Sequence, residues 1–163
     1  EQCLLKHEMV REAECYKSPF GKVHITISQR IPVLAVVSSN GYYYVDSDRR
    51  VMPIRGEVDK NLPMLNGAVT ERAAMAEYFD FVSWLRDDKY WKERIRAIHV
   101  KTSKYIVLTQ EGSDAKIILG ELEDYEDKLA KLRQLYTKGF DQIGYPEYRE
   151  YDLRFDNQVV GRK

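Results

Sequence analysis

Histidine and cysteine are the residue types from which a compact catalytic or metal centre is most readily built, and here they are few and scattered. His7, His24 and His99 lie far apart, Cys3 and Cys15 form no C-x-x-C pair, and no H-x-x-x-H occurs. A zinc site would need ligands collected from distant elements. Each histidine is read as a surface or strand imidazole. No G-x-S-x-G, G-x-x-x-x-G-K-[ST] or G-x-G-x-x-G is present. A nucleophile elbow, a phosphate-cradling loop and a dinucleotide fingerprint therefore lack support. Asp87-Asp88 could do acid–base work as paired carboxylates, but a solvated helix end explains them equally well. No catalytic residue, metal ligand or cofactor is assigned. An enzyme reading would need a deep pocket collecting His99 with two carboxylates.

Aromatic residues are the compositional excess, with 12 Tyr, 5 Phe and 2 Trp. An amphipathic ring can stack on sugars or anchor a protein interface. Most of these rings must be core, because Tyr78, Phe81, Trp84, Tyr125 and Tyr136 lie on or beside apolar helix stripes. In Tyr42-Tyr43-Tyr44 side chains alternate, and Tyr43 is expected to be the exposed one. Exposed tyrosines around 42–44 and 145–151 would suit a glycan- or peptidoglycan-binding module of the cell envelope, an alternative function.

The elements that must position such residues follow from periodicity. Val23, Ile25 and Ile27 alternate with His24, Thr26 and Ser28 in a half-buried strand, and Ser18-Pro19-Phe20-Gly21 turns it back on a weaker strand at 10–16. Residues 1–8 read as the end of a helix. Pro32 interrupts the ladder before the apolar run 33–37, and a domain boundary is placed near residue 37. Strands are expected at 42–46, near Val51, and at 95–101, 105–110 and 116–119. A helix over 71–86 carries Ala74, Tyr78, Phe81, Val82 and Leu85 on one face. A second over 122–138 carries Leu129, Leu132 and Tyr136, with Gly139 as its C-terminal cap. Tyr151, Leu153 and Phe155 alternate with Asp152, Arg154 and Asp156 in a last strand, where an unpaired sheet edge is expected. The fold class is α+β, a mostly antiparallel sheet with two main helices packed on it.

Length and charge narrow the function. The chain has 163 residues, and its 26 Lys plus Arg balance 26 Asp plus Glu, so no basic excess points to nucleic acid. No run of about 18 apolar residues occurs. The chain begins at Glu1 and reads as a segment of a longer protein, whose membrane anchor or signal would lie upstream. Cys3 and Cys15 could pair only if their Cα atoms came within about 7 Å, and two cysteines do not fix the redox compartment.

Five short patterns in order resemble the bacterial cell-division family FtsQ/DivIB: Gln29-Arg30-Ile31-Pro32-Val33-Leu34-Ala35 at the junction between POTRA and β domains, Tyr43-Tyr44-Val45-Asp46, Leu62-Pro63-Met64-Leu65-Asn66-Gly67, Leu119-Gly120 with Lys128-Leu129, and Asp152-Leu153-Arg154-Phe155. Two departures stand out. Ser47-Asp48-Arg49-Arg50 follows Asp46 where the family usually has Gly, and Phe155 replaces a commoner Tyr.

The resemblance implies an incomplete POTRA-like piece over 1–37 followed by a β domain over 38–163. It implies a non-enzymatic divisome scaffold with a single inner-membrane span, this segment lying in the periplasm at the division septum. The implied partners are the bitopic division proteins FtsB and FtsL, bound by strand addition at a C-terminal sheet edge and linked to septal peptidoglycan synthesis. No small-molecule substrate is implied. Tyr151, Asp152, Arg154, Phe155 and Asn157 occupy the matching partner-binding positions.

Overall fold

Alternation in the first strands makes a hairpin that stands apart from the main sheet. In the computed structural model, which describes residues 2–39, 41–140, 148–156 and 158–163, β1 (Val10–Lys17) pairs antiparallel with β2 (Val23–Gln29). Gly21, at φ +78, closes the turn, with Ser18 N–H donating to the Lys22 carbonyl. A short helix, α1 (Gln2–Leu5), lies beside β1. Cys3 and Cys15 form no disulfide. Val23, Ile25 and Ile27 of β2 remain exposed, so the alternation that marked a half-buried strand is present while its burial is not.

A nine-stranded sheet forms the body of the molecule, in the order β11-β10-β9-β8-β7-β6-β3-β4-β5. Its strands are β3 (Pro32–Ser38), β4 (Gly41–Asp46), β5 (Val51–Pro53), β6 (Met64–Gly67), β7 (Ile95–Thr102), β8 (Tyr105–Gln110), β9 (Lys116–Gly120), β10 (Glu150–Asp152) and β11 (Val160–Arg162). Neighbours pair antiparallel except at β3–β6, β6–β7 and β9–β10, which are parallel. The fold is thus α+β with a mostly antiparallel sheet, as periodicity indicated. The apolar run 33–37 lies inside this sheet, beside β4 and β6. Leu62 to Gly67, unassigned in the sequence, contains the central strand β6. Gly67 sits at φ +101 where a Cβ would run into the Val100 carbonyl, so the segment's glycine is required by close backbone approach.

Helices cover one face. α2 (Glu71–Met75) and α3 (Glu77–Asp87) replace the single helix expected over 71–86. The break falls at Ala76, with φ −110 and ψ −104, where the Met75 carbonyl accepts Arg49 Nη1 at 3.3 Å. α4 (Tyr125–Gln134) continues through one π-helical turn, Leu135–Gly139. Gly139 is therefore inside the helix rather than its cap, in contact with Leu135, where a Cβ would come within 3.1 Å of Leu135 Cδ1. Phe81, Val82, Leu85, Leu129 and Leu132 pack on Leu34, Val36, Leu65, Ile98, Leu108 and Ile117 of the sheet. Burying each such side chain contributes roughly 1.5–3 kcal/mol.

On the opposite face Ala35, Tyr44 and Met52 are covered by Met9, Ile54, Val58 and Leu62. Tyr43 and Tyr44 are both buried and Tyr42 is 69% exposed, correcting the expectation for Tyr43. β4 is covered on both faces, so Tyr43 enters the helix-side core and Tyr44 the other cluster, where its hydroxyl accepts from Asp59 N–H at 2.9 Å.

The hairpin is tied to the sheet through charge. Arg30, 10% exposed along its side chain, donates to the buried carboxylate of Asp46, which also accepts N–H bonds from Asp48 and Arg50. Arg11 adds a more exposed pair to Asp48. The Gly-less turn places Arg49 at φ +59, with its guanidinium over the Phe79 ring and against Asp80.

Candidate partner-binding edge

The last three strands bring the C-terminal residues together. β10 places Asp152 opposite Ile118 of β9 on one side and opposite Val160 of β11 on the other. The strand carrying Tyr151 and Asp152 is therefore paired on both flanks, which corrects the expectation of an open edge there. It is also shorter than the alternation of 151–155 implied. Arg154 N–H folds back onto Asp152 Oδ1 at 3.2 Å, an Asx-type turn that ends the ladder, while Leu153 N–H still reaches the Ile118 carbonyl at 2.9 Å. The open side passes to β11, which ends the strand order with no strand beyond it among the described residues. β5 ends the order at the other extreme, and its Pro53 has no N–H to donate.

Asp152 has no exposed surface and is the centre of the local charge network. Its carboxylate accepts Arg154 Nε at 2.9 Å, Arg154 Nη2 at 2.7 Å and Arg162 Nη2 at 3.2 Å. The Arg154 hydrogen bonds hold the carboxyl below its ordinary value against the opposing effect of burial, and Asp152 in turn raises Arg154. Gly120, at φ +80, admits this arrangement, because a Cβ there would lie 2.7 Å from Arg154 Cγ. The Arg154 guanidinium lies 5.3 Å from the Tyr105 ring centroid, and Lys101 Nζ lies 4.9 Å from the same ring. Arg162 approaches Glu150 at 3.9 Å.

The expected site residues divide by depth. Tyr151 is buried against the Tyr136, Phe140 and Tyr148 rings, and Asp152 lies beneath the surface. Arg154 is partly exposed and Phe155 is 42% exposed, outside the core phase that Tyr151 and Leu153 share. Asn157 lies outside the described residues. Sequence reading missed β11 and Arg162: three residues, Val160-Gly161-Arg162, are too few to display alternation.

On the face turned from α3 and α4, the strands leave a groove of 390 Å³ lined by His99, Val107, Thr109, Lys116, Ile118 and Glu150, among others. His99 Nε2 lies 3.0 Å from Thr109 Oγ1. Burial lowers the His99 pKa, and Lys116 adds to the effect. One carboxylate accompanies His99 there, not two, and the described residues hold no group of three His, Cys, Asp or Glu suited to a metal ion. The described tyrosines make no flat exposed row, since Tyr43, Tyr44 and Tyr151 are buried; Tyr145 lies outside the described residues.

A mixed sheet with helices on one face, a C-terminal edge strand and a buried Asp–Arg clamp beside it define an α+β domain. The family model described as FtsQ/DivIB, C-terminal related, matches residues 31–162, and the chain belongs to this family of membrane-anchored cell-division proteins. No curated protein sequence matches the chain. No helix among the described residues is long and apolar enough to cross a membrane.

Proposed function

We propose that this domain is a non-enzymatic divisome scaffold that binds FtsB- and FtsL-type bitopic proteins by strand addition beside β11, and so bears on septal peptidoglycan synthesis. The observation that carries the reading is the position of β11 at the end of the sheet, in a chain whose family is one of cell division. An incoming strand gains main-chain hydrogen bonds from the edge and side-chain specificity from its rim. Arg154 and Phe155 supply that rim. Tyr151 and Asp152 act through them as positioning residues, and Asn157 completes the set carried over from the family pattern. The segment works in the periplasm at the septum, held by a single inner-membrane span elsewhere in the protein. The hairpin 10–29 belongs to a POTRA-like unit, and because β3 pairs within the large sheet the boundary with the β domain is placed at Arg30 rather than near residue 37.

The experiment is calorimetric titration of a soluble FtsB-type segment into the protein and into Val160→Pro and Gly161→Pro variants. Successive N–H groups along a strand point to opposite sides, so one of the two prolines removes an outward donor and spares the internal ladder. Strand addition is supported if the variant that keeps its melting temperature binds at least about tenfold more weakly. Unchanged affinity in both variants removes β11 as the docking edge.

A further inference from the structure

The turn that closes the β1–β2 hairpin carries the most exposed large apolar side chain among the described residues. Phe20 is 92% exposed, and it stands beyond the last rung of the ladder, Lys17 opposite Val23, so neither face of the hairpin shelters it. The turn that presents the ring is well bonded. Gly21 N–H donates to the Ser18 carbonyl at 3.0 Å, Lys22 N–H donates to Ser18 Oγ at 3.2 Å, and Pro19 fixes its own φ. Phe20 is thus held outward in advance, and engaging it costs little ordering of the backbone. One rung behind the tip Tyr16, 60% exposed, stacks on His24 with 4.8 Å between ring centroids. Lys17 and Lys22 flank the turn, both exposed and without an ion pair among the described residues. No acidic residue occurs between Cys15 and Arg30, and the nearest along either strand is Glu14, two residues behind Tyr16. In a chain whose charges balance overall, this tip is basic and capped by an aromatic ring.

We infer that the hairpin tip docks on the surface of an anionic phospholipid bilayer, Phe20 entering the acyl boundary while Lys17 and Lys22 meet the headgroup phosphates. The order of residues along the hairpin matches the order of layers it would meet. An apolar ring leads, and the Tyr16–His24 pair follows roughly 10 Å behind by the rise of the strand, at the headgroup level where amphipathic rings collect. Carboxylates begin only behind that pair, at Glu14. Charge complementarity selects the lipid, because two unpaired lysines are drawn to anionic headgroups and gain little from zwitterionic ones. One ring and two lysines give weak, reversible binding. That suffices in a family held at the membrane by its own anchor, since tethering raises the effective concentration of the surface. The β11 edge plays no part in this contact, so the inference stands or falls apart from strand addition.

The test is cosedimentation of the protein with vesicles of phosphatidylcholine, alone or mixed in equal parts with phosphatidylglycerol. Partition into the mixed vesicles should exceed that into phosphatidylcholine by at least about tenfold at low salt, and should fall as salt rises. Phe20→Ser should weaken it roughly tenfold, and Lys17→Gln and Lys22→Gln several-fold each, all with unchanged melting because these side chains are exposed. Phe20→Trp should keep the partition, its added emission shifting to the blue only with the anionic vesicles. Equal partition into both vesicle types, no partition, or partition that survives loss of Phe20 and of both lysines overturns the inference. A larger loss from Ile25→Ser than from Phe20→Ser moves the contact to the hairpin face and overturns the role of the tip. Full displacement of the vesicles by polyglutamate, with Phe20→Ser binding as well as the parent protein, would assign the lysines to an acidic polymer instead.

Discussion

Arg154 turns back two residues along its own chain to grip Asp152 with two nearly parallel hydrogen bonds, Nε to Oδ1 at 2.9 Å and Nη2 to Oδ2 at 2.7 Å. The same carboxylate receives Arg162 from the edge strand. One buried acid therefore ends β10, aims the Arg154 side chain and fastens β11. Bidentate arginine–carboxylate geometry supplies direction as well as energy, which suits a residue beside an interface.

Asp152→Asn should destabilise the domain by about 2–3 kcal/mol near neutral pH, because two guanidinium groups lose their shared charge and one bidentate partner. The folded carboxyl titrates below the unfolded value of about 3.9, so its contribution is complete above that value and drains away as pH falls through the lower folded value. Melting curves of both proteins should converge as pH drops below about 4. A gap that persists undiminished in acid would remove the charge of Asp152 from the account.

Gly120→Ala tests the space for the clamp. The added Cβ meets Arg154 Cγ and the backbone must hold φ +80, so a loss of about 1–3 kcal/mol is expected in urea titration. Partner affinity should fall with it, whereas Gly112→Ala, also at positive φ but with open space around it, should cost stability and leave partner binding intact.

Phe155→Ala should leave the melting temperature within a few degrees, since the ring is 42% exposed and outside the core clusters. Binding of an FtsB-type segment should weaken by roughly tenfold or more if the ring anchors the interface. Unfolding, or undiminished affinity by calorimetry, removes Phe155 from the contact set.

At the other end of the chain, Arg30→Ala strands the Asp46 carboxylate in a buried position. A loss of about 3 kcal/mol is expected, with proteolysis in the hairpin 10–29 rising ahead of cleavage in the large sheet. Equal protease sensitivity in both regions would show that Arg30 does not pin the hairpin.

Long periodic elements were legible in the sequence because their signal is local. The β2 alternation, the 105–110 and 116–119 strands and the two helix stripes all needed only neighbouring residues. What escaped depended on partners distant in the chain. Ala76 breaks a good helical stripe where Arg49 takes the Met75 carbonyl. Tyr42 rather than Tyr43 is exposed because the strands and segments covering β4 close over both faces of its middle. Arg30 and Asp46 could each be recognised in short patterns, yet their pairing is a fact of folding. At the candidate edge, Asp152, Arg154 and Phe155 stand in a recognisable short pattern. The sheet rim was placed one strand too early, because nothing local reveals that Asp152 captures the next turn's N–H and sends the chain back as β11.

The most direct measurement is amide hydrogen exchange at Val160, Gly161 and Arg162 with and without a soluble FtsB-type segment. Strand addition predicts slowed exchange at the outward-facing amides of β11, alongside unchanged protection in β7 and β8. Saturating partner binding that leaves every β11 amide exchanging as before, with new protection elsewhere, would contradict it.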